Sequence, residues 1–129
     1  MYHAMTLRDD FLNRSDMVGS WTTLTDSDAA ELMGGLGFDF LTFDMEHSPR
    51  SVSEISTMMQ GLDAAGGDTG RIVRVPWNDF VTIKRALDIG ADGILVPMVN
   101  TAEEAEEVVE ATQYPPDGIR GVGPRRASK

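Results

Sequence analysis

From about residue 17 onward the sequence alternates four times between a short β-branched or apolar run and a stretch of helical periodicity. This alternation limits the possible folds more than any other feature. Met17 to Leu24 has the content of a first strand. Thr25 or Asp26 then caps a helix through Gly34, with Ala29, Ala30, Leu32 and Met33 on its apolar side and Gly34-Gly35 as its stop. Phe38 to Phe43 supplies the second strand, and Ser51 or Ser53 opens a helix that runs to about Ala65. A turn containing Gly66, Gly67 and Gly70 leads into a third strand, Arg71 to Val75, and Asp79 caps the helix that follows. The fourth strand is the apolar run Gly93 to Pro97, after which Thr101 caps an acidic helix, Ala102 to Thr112. Ahead of the first strand, Met5 to Asn13 predicts a short amphipathic helix.

Strands that alternate with helices across short loops imply an α/β chain with a parallel sheet covered by helices. A doubly wound nucleotide-binding fold would place a glycine-rich loop after the first strand, but that junction here is Thr22-Thr23-Leu24-Thr25-Asp26. A complete TIM-type (β/α)8 barrel takes about 250 residues. Four βα units in 129 residues therefore correspond to a half barrel with an added N-terminal helix. In such barrels catalytic groups gather at the C-terminal ends of the strands.

Charge and composition exclude several functions. A net charge of -10 repels phosphate backbones and anionic lipid surfaces, which argues against nucleic acid and membrane as partners. Lys84 and Lys129 are the only lysines, a balance that suits either a salt-adapted surface or an ordinary acidic protein. The absence of cysteine removes disulfides, thiolate nucleophiles and zinc-thiolate sites. Met1 to Asp16 carries Arg8, Asp9, Asp10 and Arg14 among its apolar residues. It lacks the apolar stretch of a signal peptide or membrane span, so a cytoplasmic location is expected.

The polar residues that could do chemistry follow the strands. The second strand runs directly into Asp44, Glu46 and His47, and a loop histidine after a barrel strand is a candidate acid-base group, although a surface histidine with acidic neighbours would look the same. His3, the other histidine, belongs to the N-terminal tail. Arg74 ends an apolar strand, where a guanidinium must meet an anion. It can pair structurally with Asp44 or Glu46, or hold a substrate carboxylate or enolate oxygen, and the two roles are compatible. Asn78 and Asp79 lie just beyond. Tyr114 to Gly123 is glycine-rich but lacks the Lys-Ser/Thr ending of a phosphate loop, so it reads as a structured connection. Trp77 and the eight methionines read as packing residues.

Five segments, taken in order, resemble successive motifs of the HpcH/HpaI aldolase family. They are Asp44-Met45-Glu46-His47-Ser48-Pro49, Val73-Arg74-Val75-Pro76-Trp77-Asn78-Asp79, Leu87-Asp88-Ile89-Gly90, Leu95-Val96-Pro97-Met98-Val99, and Tyr114 through Gly123. The resemblance covers nearly the whole chain from about Trp21 and implies that residues 1–129 are the N-terminal part of a single barrel domain. It also implies cleavage of a 4-hydroxy-2-oxo acid to pyruvate and an aldehyde, with a divalent metal (Mg, Mn or Co) chelating the 2-oxo acid and no Schiff-base lysine. By motif, His47 is the acid-base residue, Arg74 stabilises the enolate-like transition state, and Asp88 raises the basicity of the histidine. By position, Asp88 falls near the C-terminal end of the helix capped by Asp79, towards the other end of the barrel from His47, and Asp44 or Asp79 is nearer.

No two acidic residues here match the metal-ligand motifs of the family, so no metal ligand and no other cofactor-binding residue is assigned to this chain. The expected partners are a small 2-oxo acid and either further copies of the chain, as a homo-oligomer, or a complementary C-terminal half. The isolated half barrel is expected to be inactive. Two alternatives remain, a non-catalytic half-barrel assembly or binding module and a related lyase acting on hydroxyacyl-CoA thioesters.

Overall fold

A computed structural model describes residues 6–13, 16–123 and 126–127. Methionines 1 and 5, His3, Arg14 and Lys129 lie outside the described residues. The elements run α1 (Leu7–Asn13), β1 (Gly19–Thr22), α2 (Ser27–Gly34), β2 (Phe40–Asp44), α3 (Val52–Ala64), β3 (Gly70–Arg74), α4 (Phe80–Asp88), β4 (Gly93–Leu95) and α5 (Ala102–Thr112). The strands form one parallel sheet in the order β1-β2-β3-β4. Sequential order with a helix after each strand is the arrangement of half a (β/α)8 barrel, as the alternation in the sequence predicts.

Local chemistry starts α2 to α5 at caps the sequence offered, with Asp26 and Ser51 acting in place of the alternatives Thr25 and Ser53. Asp26 accepts from the Asp28 N–H, and Asp79 accepts from the Thr82 N–H at 2.8 Å. Ser51 with Glu54 and Thr101 with Glu104 each complete a reciprocal capping box. These side chains satisfy amide donors that a helix start leaves unpaired.

Because side chains alternate across a strand, the sheet has two distinct faces. Leu41, Phe43 and Val73 are fully buried against a layer built from Ala30 of α2, Ile55, Met58, Met59 and Leu62 of α3, and Ile83 and Ala86 of α4. Burial of such side chains supplies most of the driving force for this layer, at about 1.5–3 kcal/mol each. Gly61 allows α3 to approach α2, since a Cβ there would sit 2.1 Å from the Ser27 carbonyl oxygen.

The opposite face, which would line the barrel, presents Trp21, Phe40, Thr42, Ile72 and Leu95. α1 covers its lower end, with the Phe11 ring tilted against that of Phe40 at 5.4 Å between centres and Leu7 lying over Gly70. Trp21 and Leu95 remain nearly half exposed, at 46% and 43%. Among the described residues no helix is long and apolar enough to cross a membrane.

Met58 and Met59 pack in the core, but Trp77 and Met98, the latter 61% exposed, do not play the packing role the sequence suggested. Trp77 sits on the connection after β3 and is 58% exposed.

Candidate active site

Strand register builds the polar end of the sheet. Asp44 is paired with Arg74, and Arg74 with Leu95, so the three lie side by side at the C-terminal ends of β2, β3 and β4. Asp44 is the last residue of β2, and the regular strand backbone aims it to the same face as Arg74.

The arginine meets the carboxylate as a two-pronged fork. Its Nε donates to Asp44 Oδ1 and its Nη2 to Asp44 Oδ2, both at 2.9 Å. Glu46 adds a second carboxylate 3.2 Å from Nε, and the guanidinium carbon lies 4.3 Å from the centre of the Trp21 ring. Two carboxylates and an aromatic face thus hold one cation, which is 22% exposed towards the strand ends. Both roles open to Arg74 in the sequence are compatible with this geometry, because Asp44 occupies only the Nε-Nη2 edge of the fork.

Asp44 also accepts from the backbone N–H groups of Glu46 at 2.9 Å and His47 at 3.4 Å. The Ser48 hydroxyl donates to the Asp44 carbonyl oxygen, which tightens the turn further. Hydrogen bonds from Arg74 and, secondarily, from these amides overcome the effect of burial and bring the Asp44 carboxyl down to about 2. The same pairing raises the Arg74 guanidinium above its ordinary value.

His47 follows on this turn with its side chain 72% exposed, and its Nε2 lies 3.5 Å from Glu46 Oε1. The carboxylate beside the imidazole is therefore Glu46. Asp44 reaches only the His47 backbone amide, and Asp79 is engaged in capping α4 through Thr82.

Asp88 is the last residue of α4, and in this parallel arrangement it lies at the other end of the strands from His47. It pairs there with Arg120 at 2.9 Å, and Arg120 in turn lies over the Tyr114 ring at 4.7 Å. His47 and Arg74 are brought to one end of the sheet, and Asp88 is not brought to them. Asn78 donates to the Glu104 carbonyl oxygen and ties the β3-α4 connection to α5.

The carboxylates at the polar end do not fit a divalent ion by themselves. Asp44 and Glu46 are already engaged by Arg74, and among the described residues no three His, Cys, Asp or Glu side chains gather as a ligand set.

Two contributors escaped the sequence reading. Trp21 was legible as a strand residue but not as a platform for Arg74, because the two are joined only through tertiary structure. Arg50 was not singled out, and its partners are main-chain oxygens that leave no residue pattern to find.

The family model described as HpcH/HpaI aldolase/citrate lyase matches residues 17–127. The chain belongs to the HpcH/HpaI aldolase/citrate lyase family. Over 106 residues it is 49% identical to a 4-hydroxy-2-oxo-heptane-1,7-dioate aldolase of Escherichia coli, an alignment that covers 82% of this chain and 40% of that protein. The chain thus spans about 40% of the length of the curated relatives it matches.

Solved family structures align over nearly the whole chain. An HpcH/HpaI aldolase/citrate lyase family protein from Burkholderia cenocepacia J2315 superposes with a TM-score of 0.90 at 31% identity, covering 97% of this chain and 51% of that one. An HpcH/HpaI aldolase from Desulfitobacterium hafniense DCB-2 superposes with a TM-score of 0.82 at 32% identity, covering 93% and 46%. Coverage of about half of each neighbour agrees with four βα units of a TIM-type barrel.

Proposed function

We propose that this chain is the N-terminal part of a single aldolase barrel domain, in which it supplies the acid-base and oxyanion-binding groups for cleaving 4-hydroxy-2-oxo acids to pyruvate and an aldehyde. The observation that carries this reading is the Arg74 guanidinium, fixed by Asp44, Glu46 and Trp21 beside the exposed His47 at the C-terminal end of the barrel sheet. A cation held in place before substrate arrives can stabilise developing negative charge without reorganising.

In the proposed step the His47 imidazole removes the proton from the substrate's C4 hydroxyl. The electrons of that O–H bond form the aldehyde carbonyl as the C3–C4 bond breaks. The C3–C4 pair becomes the C2–C3 double bond of pyruvate enolate, whose charge rests on the C2 oxygen. Arg74 binds that oxygen through the guanidinium edge that Asp44 does not occupy. Return of a proton to C3 releases pyruvate.

Asp88, to which family resemblance assigns the tuning of the histidine, takes no part in this step, because it is paired with Arg120 at the other end of the strands. The divalent metal implied by the same resemblance would take its ligands from outside this chain and, when bound, would polarise the substrate's 2-oxo group. The half-exposed Trp21 and Leu95 on the barrel-lining face favour work within an assembly, either with a complementary C-terminal half or with further copies. A cytoplasmic setting accords with this reading.

The test is pyruvate release from 4-hydroxy-2-oxo acids, read by coupled reduction to lactate with Mg, Mn or Co present. It is run on the chain alone and on the chain joined to the C-terminal half of a family aldolase. The joined protein should release pyruvate and lose that activity on His47→Ala or Arg74→Ala substitution. A folded joined protein that binds pyruvate but never cleaves the substrate would reject the reading.

A further inference from the structure

Arg50 is a nearly buried cation, 5% exposed, whose partners differ from those of the other arginines at the sheet. Its Nη1 donates to the Thr22 carbonyl oxygen and its Nη2 to the Leu24 carbonyl oxygen, both at 2.6 Å. Among the described residues no carboxylate lies within ion-pair distance of it, and its Nε has no hydrogen-bond partner. Asp44 and Glu54 act on it only at longer range. A guanidinium fork spent on two main-chain oxygens fixes geometry more than it neutralises charge.

The geometry in question is the end of β1. That strand is paired along Gly19 to Thr22 with β2 and has no second neighbour among the described residues, so its C-terminal end relies on contacts outside the ladder. Thr22 is its last residue and is buried on the helix side of the sheet. Trp21, one residue earlier, points to the other face, where it supports the Arg74 guanidinium. Any rotation of the strand end about its axis would move both side chains together. Arg50 clamps that end from the opposite side, reaching from the start of α3 across to the connection between β1 and α2.

We propose that Arg50 is a positioning residue for this site, which by its double bond to the Thr22 and Leu24 carbonyls holds Trp21 beneath the guanidinium of Arg74. Its importance for turnover rests on the reading of Arg74 given above. The placement of Trp21 does not, and it is measurable without any reaction.

The experiment uses the full chain with Trp77→Phe, so that Trp21 is the one remaining tryptophan of the two. A positive charge over an indole face alters its emission energy, so Arg74→Met in this background should shift Trp21 fluorescence. Arg50→Lys retains the charge but cannot span both carbonyls. Adding it should abolish the shift on Arg74→Met while the far-ultraviolet circular dichroism stays unchanged. Arg50→Gln, whose amide ends where the Arg50 Nε now lies and reaches neither carbonyl, is read in parallel and should abolish the shift as well.

An undiminished response to Arg74→Met in a folded Arg50→Lys chain would overturn the proposal, even if its melting temperature fell. Loss of secondary structure in both Arg50 variants would make the residue a support of the fold as a whole and would also overturn it. Failure of the aldolase reading would appear separately, as absent cleavage with the Trp21 response intact.

Discussion

Replacing Asp44 with asparagine should flatten the acid limb of the stability profile, because the folded chain holds this carboxylate ionised well below its ordinary range. The carboxyl moves from 3.8 to about 2, mainly through its two hydrogen bonds from Arg74 and then through the Glu46 and His47 amides, against the opposing effect of burial. At about 1.4 kcal/mol per unit, that displacement corresponds to roughly 2 kcal/mol of folding stability. Since the folded value is the lower one, the contribution is complete above about pH 5 and is lost as pH falls through 3.8 towards about 2. Asp79 and Glu54 are also shifted downwards, by the Thr82 and Ser51 hydrogen bonds, but they remain in both proteins and cancel in the difference. Urea denaturation at intervals from pH 6 to pH 2 should show the Asp44→Asn chain less stable by roughly 2 kcal/mol at neutral pH, with the two curves converging at the acid end. A gap between the curves that stays constant with pH would refute the ion-pair account.

In the joined, active barrel, His47→Ala and Arg74→Ala should each reduce aldol cleavage by about 10²- to 10⁴-fold, measured as kcat/KM for pyruvate release. Arg120→Met leaves the Asp88 carboxylate without its partner at 2.9 Å and should destabilise the chain by about 1–2 kcal/mol, read from the urea midpoint. Gly61→Ala places a methyl group 2.1 Å from the Ser27 carbonyl oxygen, so α2 and α3 must separate. The expected cost is about 1–3 kcal/mol, visible as a lowered melting temperature. With a net charge of -10, the chain should melt at a higher temperature in molar potassium chloride than in dilute buffer, as screening relieves self-repulsion.

The sequence by itself determined the element order, the family and the caps Asp79 and Thr101, and narrowed the other two caps to Thr25 or Asp26 and Ser51 or Ser53. Ser51, Asp79 and Thr101 act on amides within three residues of themselves, and the apolar periodicity of each helix is written along a single turn or two. Such signals need no knowledge of the rest of the chain, and the described elements follow them closely. Strand ends were less legible. The apolar run from Gly93 continues to Pro97, yet β4 stops at Leu95, where its pairing with Arg74 of β3 ends. Asp44 read as the first residue of a loop and is instead the last of a strand, and that single step decides its orientation towards Arg74.

Only the tertiary structure decided how the site is held together. The sequence offered Asp44 or Glu46 as partners of Arg74 and the fold uses both, with Asp44 as the two-pronged contact; Arg50 reaches back 28 residues to main-chain oxygens and leaves no such pattern. His47 and Arg74 could be named from their motifs, but Glu46 as the carboxylate beside the imidazole, Trp21 beneath the guanidinium and the pairing of Asp88 with Arg120 could not. The physical reason for the Asp44, Arg74 and Trp21 cluster is that strand register and the alternation of faces set its contacts, and register is a property of neighbouring strands; Asp88 meets Arg120 because the end of α4 packs against the C-terminal connection.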